Sequence, residues 1–336
     1  MNALLQWVRT CLIAIIASLA GPGYTHLFAL EPKETRPEQT PPKFVLMWGK
    51  KGEGAGEFRS PIGIAINRAD EIFVTEFHGD RVQKFDPEGK FLGTFPVAKH
   101  PGGIAVDGEG RVYVAPLLLG KICVHDSDGK LLREWGKPGT GAGEFKDPGG
   151  IAVGPDGTIY VADQSNHRVQ RFTPEGRFLA QWGGHGSEPG QFGGKGQAGK
   201  RFAGPHFLAF DRAGNLFTTE GAEGRIQKLT ADGKPLLAWG NNSTEPGGFG
   251  GREKAARTPL PGPIGICVDH RERVWVSDTN SRVQVFSSEG SHLFTISEED
   301  SDAPGEFNLP HAMAVDSRGF IYIVDASNHR IQKFAP

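Results

Sequence analysis

The chain has 336 residues, with 37 Lys and Arg against 39 Asp and Glu, a formal net charge of −2 and an isoelectric point near 6.6. That balance makes no demand for a polyanionic partner, since nucleic-acid binding calls for a basic stripe. Residues 1–20 have one positive charge, Arg9, before the apolar run Cys11–Ala20, with Ser18 and Ala20 small where a signal peptidase reads. The segment reads as a secretory signal peptide. Its ten-residue run, or the seventeen residues counted from Leu4 across Gln6 and Arg9, falls short of the about 20 that span a bilayer. The mature protein is therefore expected outside the cytoplasm, secreted or periplasmic, and at a membrane only if the signal stays uncleaved.

Residues 21–42 place Pro22, Pro32, Pro37, Pro41 and Pro42 among Glu, Lys, Thr and Gln, with almost nothing apolar after Leu30, and read as an extended, disordered tether. From residue 43 to 336 one order of residue types recurs six times. The first copy is preceded by an orphan strand, Lys43–Gly49; the copies then begin at Pro61, Pro101, Pro148, Pro205, Pro263 and Pro310. The third copy is the clearest. Gly150–Val153 is apolar, Gly154–Gly157 is a tight turn and Thr158–Ala162 is β-branched and aromatic. Arg168–Phe172 then alternates, Pro174–Gly176 turns, and Phe178–Trp182 closes a four-stranded antiparallel unit.

A spacing of about 40 to 60 residues is that of four-stranded blades, and the continuous apolar inner runs fit blades stacked face to face in a ring. The fold class expected is all-β, a six-bladed β-propeller in one domain, residues 43–336. The last copy stops after its third strand at Phe334–Pro336, so the N-terminal strand should complete the last blade and remove a free sheet edge. Cys11 leaves with the signal. Cys123 and Cys267 then lie three blades apart, beyond the about 7 Å between Cα atoms that a disulfide allows, and both should be buried thiols.

Two segments, Asp163-Gln-Ser-Asn-His-Arg-Val-Gln170 and Asp325-Ala-Ser-Asn-His-Arg-Ile-Gln332, resemble NHL repeats, and the resemblance extends over residues 44–336. It implies a six-bladed β-propeller, in a fold family that includes extracellular sensor domains, the RNA- or protein-binding domains of TRIM-NHL proteins and the peptidylglycine amidating lyases.

The turn between second and third strands keeps an acid five residues before a base in Glu76/Arg81, Asp163/Arg168, Glu220/Arg225 and Asp325/Arg330. Blade 5 shortens this to Asp278/Arg282, and blade 2 substitutes Pro116 and Lys121. Repetition marks the pair as architectural, the acid accepting turn N–H groups and the arginine pairing with carboxylates or carbonyls. His167 and His329 belong to this turn and are not expected to bind metal. Asp126-Ser-Asp-Gly129, calcium-like in composition, aligns with the hairpins of other copies and reads as one.

Two long connections, Gly183–Gly204 and Gly240–Gly262, share a Glu-Pro-Gly-x-Phe-Gly-Gly-basic core and carry Lys195, Lys200, Arg201, Arg252, Lys254 and Arg257. They should wall one side of the channel mouth and form a binding face. Export weighs against RNA there. Asn241 and Asn242 each head a glycosylation triplet, relevant only in a glycosylating host.

The residue after the proline that opens each inner strand is Ile62, Gly102, Gly149, His206, Ile264 and His311 in blade order, which sets two histidines at the channel mouth two blades apart. In the amidating lyases, three Pro-His pairs on alternate blades hold zinc, and this chain matches two, Pro205-His206 and Pro310-His311. The third blade has Gly102, with His100 two residues earlier. The family's catalytic tyrosine belongs in the Asp163–Arg168 turn, which has none, and its channel arginine corresponds to Gly221.

The reading is thus a secreted, monomeric propeller that binds a protein or peptide at the mouth face, without catalysis or cofactor. The alternative is a metal-dependent lyase or hydrolase with zinc on His206, His311 and His100.

Overall fold

The computed structural model describes residues 41–195, 203–250, 262–297 and 300–336. The segment read as a signal peptide, and nearly all of the one read as a tether, lie outside the described residues. Six four-stranded antiparallel sheets succeed one another along the chain, each running from an innermost strand outward. In blade 3 these are Pro148–Val153, Ile159–Asp163, Arg168–Phe172 and Phe178–Gly183. The second strands, such as Ile159–Asp163, are buried on both faces, as blades stacked on either side require, whereas the outer strand Phe178–Gly183 alternates between half-buried and exposed.

Six apolar clusters fill the six gaps between neighbouring blades, so the core is a ring of interfaces. Blade 6 holds Pro310–Val315, Ile321–Asp325 and Arg330–Phe334, and takes its outer strand, Phe44–Trp48, from the start of the domain. Phe44 pairs with Phe334 and Trp48 with Ile331, the closure expected from the orphan strand.

The blades are fastened along the rim by a device that recurs five times. The last aromatic of an outer strand lies on the hairpin glycine of the next blade. Trp48 covers Gly89, Phe95 covers Gly129, Trp135 covers Gly176, Trp182 covers Gly233 and Trp239 covers Gly290. A Cβ added at Gly233 would lie 2.1 Å from the Trp182 ring, and that glycine also has a φ of 82°, so both space and backbone exclude other residues. Trp48 carries this contact across the seam where the chain ends meet.

Toward the axis, Gly63, Gly103, Gly150 and Gly265 occupy the third position of their inner strands and let neighbouring backbones nest; a Cβ at Gly265 would come within 2.1 Å of the His311 carbonyl oxygen. Hydroxyls bridge three of the junctions. Ser277 Oγ accepts from Gly265 N at 2.8 Å and donates to the His311 carbonyl at 2.7 Å, and Thr75 and Thr219 do the same for Gly102 and Ile264. Cys123 and Cys267 are free and buried, and burial pushes the Cys123 thiol up to about 12. Neither is a nucleophile at neutral pH.

Candidate functional site

The acid–arginine turns have the architectural role expected of them, and the structure shows what they hold. Asp163, fully buried, accepts from Lys146 N at 2.7 Å, Asn166 Nδ2 at 2.9 Å, Arg168 Nε at 2.7 Å and Gln170 Nε2 at 3.0 Å. Burial holds its carboxyl above the ordinary range against the pull of those donors. Arg168 reaches on to the carbonyls of Thr140, Gly141 and Glu144, each at 2.8 Å, and so anchors the connection that enters blade 3.

Gln170 completes the clamp, accepting from Gly143 N and donating to the Glu144 carbonyl. The connections into blades 4 and 5 are gripped identically, Arg225 and Gln227 on the Gln191 carbonyl, Arg282 and Gln284 on the Gly248 carbonyl. Each connection then buries one phenylalanine: Phe58, Phe145, Phe192, Phe249 and Phe307. The core shared by the two long connections is therefore the ordinary clamp of this ring. The segments that distinguish them, with Lys200, Arg201, Arg252, Lys254 and Arg257, lie outside the described residues. Lys195 is described, and its ammonium stands 3.5 Å from the buried carboxylate of Glu223.

His206 is fully buried, with Nδ1 3.3 Å from the Pro263 carbonyl oxygen of the next blade. His311 is 6% exposed, and its buried Nδ1 has no hydrogen-bond partner. Burial, with the His206 imidazole nearby, lowers its pKa from 6.5 to about 4. His100 sits elsewhere. Its φ is 56°, the left-handed conformation that Ser60, Asp147 and Leu309 also adopt just before an inner-strand proline. Its N–H donates to Asp80 at 2.9 Å, and its ring stacks on Phe77 with centroids 4.8 Å apart.

Two imidazoles are fewer than the three protein ligands a catalytic zinc keeps, and among the described residues no three His, Cys, Asp or Glu are grouped to hold a metal. Among the described residues the side chains do not make up a three-ligand zinc site. His167 and His329 end their turns in the left-handed conformation, with φ of 55° and 53°.

His311 leads to a prediction about pH. The folded ring has the lower pKa, so the unfolded chain binds the extra proton. The stability it lends is complete above about 6.5 and is lost as pH falls toward 4, by up to about 3 kcal/mol. Urea unfolding of wild type and His311→Phe at pH 7 and pH 4.5 should show a smaller loss in the variant. Equal losses would place the titration elsewhere.

Two departures from the repeat gain their meaning only from the structure. Phe207 stands where four blades have glycine and blade 6 has Ala312. Its ring packs against the cluster between blades 4 and 5 and also against the cluster between blades 6 and 1, and it lies 6.2 Å from the His311 ring. It thus reaches across the channel from blade 4. The second is the blade 2 turn, Pro116-Leu-Leu-Leu-Gly-Lys121, in which Leu118 and Leu119 are each 37% exposed.

The connection into blade 2, Val97–His100, is too short to carry the phenylalanine and clamped carbonyls of the others, so an acid and arginine would have nothing to hold. Lys121 pairs instead with Glu134 on the outer strand, at 2.7 Å. Leu117 N donates to the His100 carbonyl at 2.9 Å, which ties the turn to the connection carrying His100, whose ring stacks on Phe77. Blade 2 therefore carries an apolar turn where the other blades carry the clamp.

The NHL repeat family matches residues 145–172 and 307–334, in blades 3 and 6. The chain is 32% identical over 138 residues to peptidyl-glycine alpha-amidating monooxygenase B of Xenopus laevis, a stretch that is 39% of this chain and 15% of that protein. It therefore spans only about one seventh of the curated relatives it matches. Among solved structures, selenomethionine-substituted virginiamycin B lyase from Staphylococcus aureus superposes with a TM-score of 0.55 at 17% identity, over 82% of this chain and 95% of that one. XC5397 from Xanthomonas campestris, described as a gluconolactonase, gives 0.58 at 16% identity, over 90% and 99%. Identities this low speak for the fold alone.

Proposed function

This chain is a six-bladed β-propeller that carries NHL repeats, and from that premise we propose that it is an exported binding module whose partner, a protein or peptide, docks an apolar segment at the channel mouth over blade 2. The observation that carries the reading is the Leu117–Leu119 turn. Other blades end the second strand in an acid and turn in residues that satisfy one another and grip a connection; blade 2 presents two part-exposed leucines in a turn hydrogen-bonded to the His100 carbonyl. Leu118 and Leu119 are exposed in this turn, and an apolar cluster on a rim is a docking feature.

Panning a random peptide library on the full-length protein tests this. Enriched peptides should share an aromatic or branched apolar anchor and lose at least tenfold in affinity for the Leu118→Asp/Leu119→Asp double variant, whose exposed turn tolerates the change. Peptides that bind wild type and variant equally would sink the proposal.

A metal-dependent lyase is the second reading, favoured by the nearness of His206 to His311 and by the partial likeness to an amidating monooxygenase. Stoichiometric metal in protein purified without chelator, lost in His206→Ala/His311→Ala, would move the assignment there.

A further inference from the structure

We propose that Ser60 and His78, in blade 1, form a nucleophile and base that hydrolyse small activated esters, an activity separate from binding at the blade 2 turn. His78 Nδ1 stands 2.9 Å from Ser60 Oγ; the imidazole is exposed and the serine half-buried. A serine hydroxyl becomes a nucleophile when an adjacent base takes its proton, and hydrogen-bond reach to an imidazole is the geometry that this transfer needs. The pair meets that condition.

The fold holds both groups in place. Ser60 sits just before an inner-strand proline with a φ of 55°, and its N–H donates to His329 Nδ1 at 3.4 Å. Its carbonyl accepts from Phe77 N at 2.9 Å, and the Arg59 carbonyl accepts from His78 N at 3.3 Å, so backbone ties the turn that carries the base to the segment that carries the nucleophile. The Phe77 ring meets the His78 imidazole edge to face, with centroids 5.0 Å apart. The same two positions touch in blade 3, where Ser165 Oγ donates to Asp147 Oδ2 at 2.6 Å, so the contact belongs to the architecture. Its chemistry does not. Blades 2, 4 and 6 have His100 with Leu118, Gly204 with Ala222 and Leu309 with Ser327, and blade 5 has Gly262, which leaves blade 1 as the place where a hydroxyl meets an imidazole.

The substrate class follows from the donors around the serine. The Ser60 N–H is given to His329, those of Phe77 and His78 go to carbonyls, and Pro61 has none. A donor aimed at the developing oxyanion contributes about 10²- to 10³-fold in rate, and these four backbone positions supply none, so the pair relies on a good leaving group. That selects esters of phenols over amides and alkyl esters. Ser60 Oγ bonds to the acyl carbon as its proton passes to His78 Nδ1, and the phenolate departs with that proton. Water then attacks the acyl-serine with His78 as base, which releases the carboxylic acid and restores the hydroxyl.

The probe is 4-nitrophenyl acetate, given to the full-length protein. Release of 4-nitrophenol should run at least tenfold, and by the usual worth of a positioned base about 10²-fold, above that from an equal concentration of imidazole. It should fall at least tenfold in Ser60→Gly, which the positive φ favours, and in His78→Gln, and the wild-type rate should rise with pH on a limb that His78→Gln lacks. Mass spectrometry of the quenched reaction should place an acetyl group on Ser60, removed by hydroxylamine as an ester and so distinct from an acetyl-lysine amide. Should Ser60→Gly fail to fold, the map of the wild-type adduct decides alone. Acetyl found only on lysines, a rate less than tenfold above that of imidazole, or a rate undiminished in either folded variant would overturn the proposal. Each outcome reads chemistry at Ser60 and leaves the peptide-binding test at Leu118 and Leu119 undisturbed.

Discussion

Deleting residues 1–49 should unfold the propeller or lower its melting temperature by more than 10 °C, while deleting residues 1–40 should leave it unchanged. The nine residues between the two end points contain the strand Phe44–Trp48. Without it the third strand of blade 6 loses its outer partner, and the cluster between blades 6 and 1 loses Trp48. The Trp48 ring sits 5.7 Å from Phe85 in blade 1 and 6.1 Å from Tyr322 in blade 6, so one side chain spans the seam. Trp48→Ala, which keeps the strand, should cost about 3 kcal/mol. Because each blade is stable only through its neighbours, the loss spreads round the ring. Equal melting temperatures for the two truncations, by calorimetry, would show that the seam does not hold the domain.

Asp163→Ala should cost about 3 to 5 kcal/mol, the range for removing one partner of a buried ion pair. The change strips four donors of their acceptor and leaves the buried Arg168 without its carboxylate. Adding Arg168→Ala should cost less than the sum of the single changes, since the uncompensated charge is then gone. The connection formed by residues 136–147 should become the first site of limited proteolysis. Chemical denaturation of the double-mutant cycle measures the coupling, and strict additivity would mean that the pair is not the clamp described here.

The blades, their phase and the exchanged strand were legible because each rests on residue types recurring at one place in every copy. Individual departures were harder to weigh. Pro116 and Lys121 were visible as a broken pair, yet the reason, a four-residue connection with no carbonyl to grip, needs the path of the backbone. Phe207 was visible as a bulky residue among glycines, but where its ring goes depends on an axis that sequence does not display. His100 invited a ligand role by its nearness to Gly102, whereas its backbone conformation ties it to Ser60, Asp147 and Leu309. The shared core of the long connections looked distinctive only because Gln191-Phe192 and Gly248-Phe249 were not aligned with Glu57-Phe58, Glu144-Phe145 and Glu306-Phe307.

The exchanged strand also decides how the domain bears a load applied through its ends. Phe44 pairs with Phe334, and the Lys43 carbonyl accepts from Ala335 N at 2.8 Å, so the two ends leave the sheet side by side from the same end of one ladder. A pull that separates them peels the rungs singly, starting at Phe44, instead of shearing all at once. Trp48, at the opposite end of the strand, is the last to let go, and it is there that the mechanical strength of the ring resides.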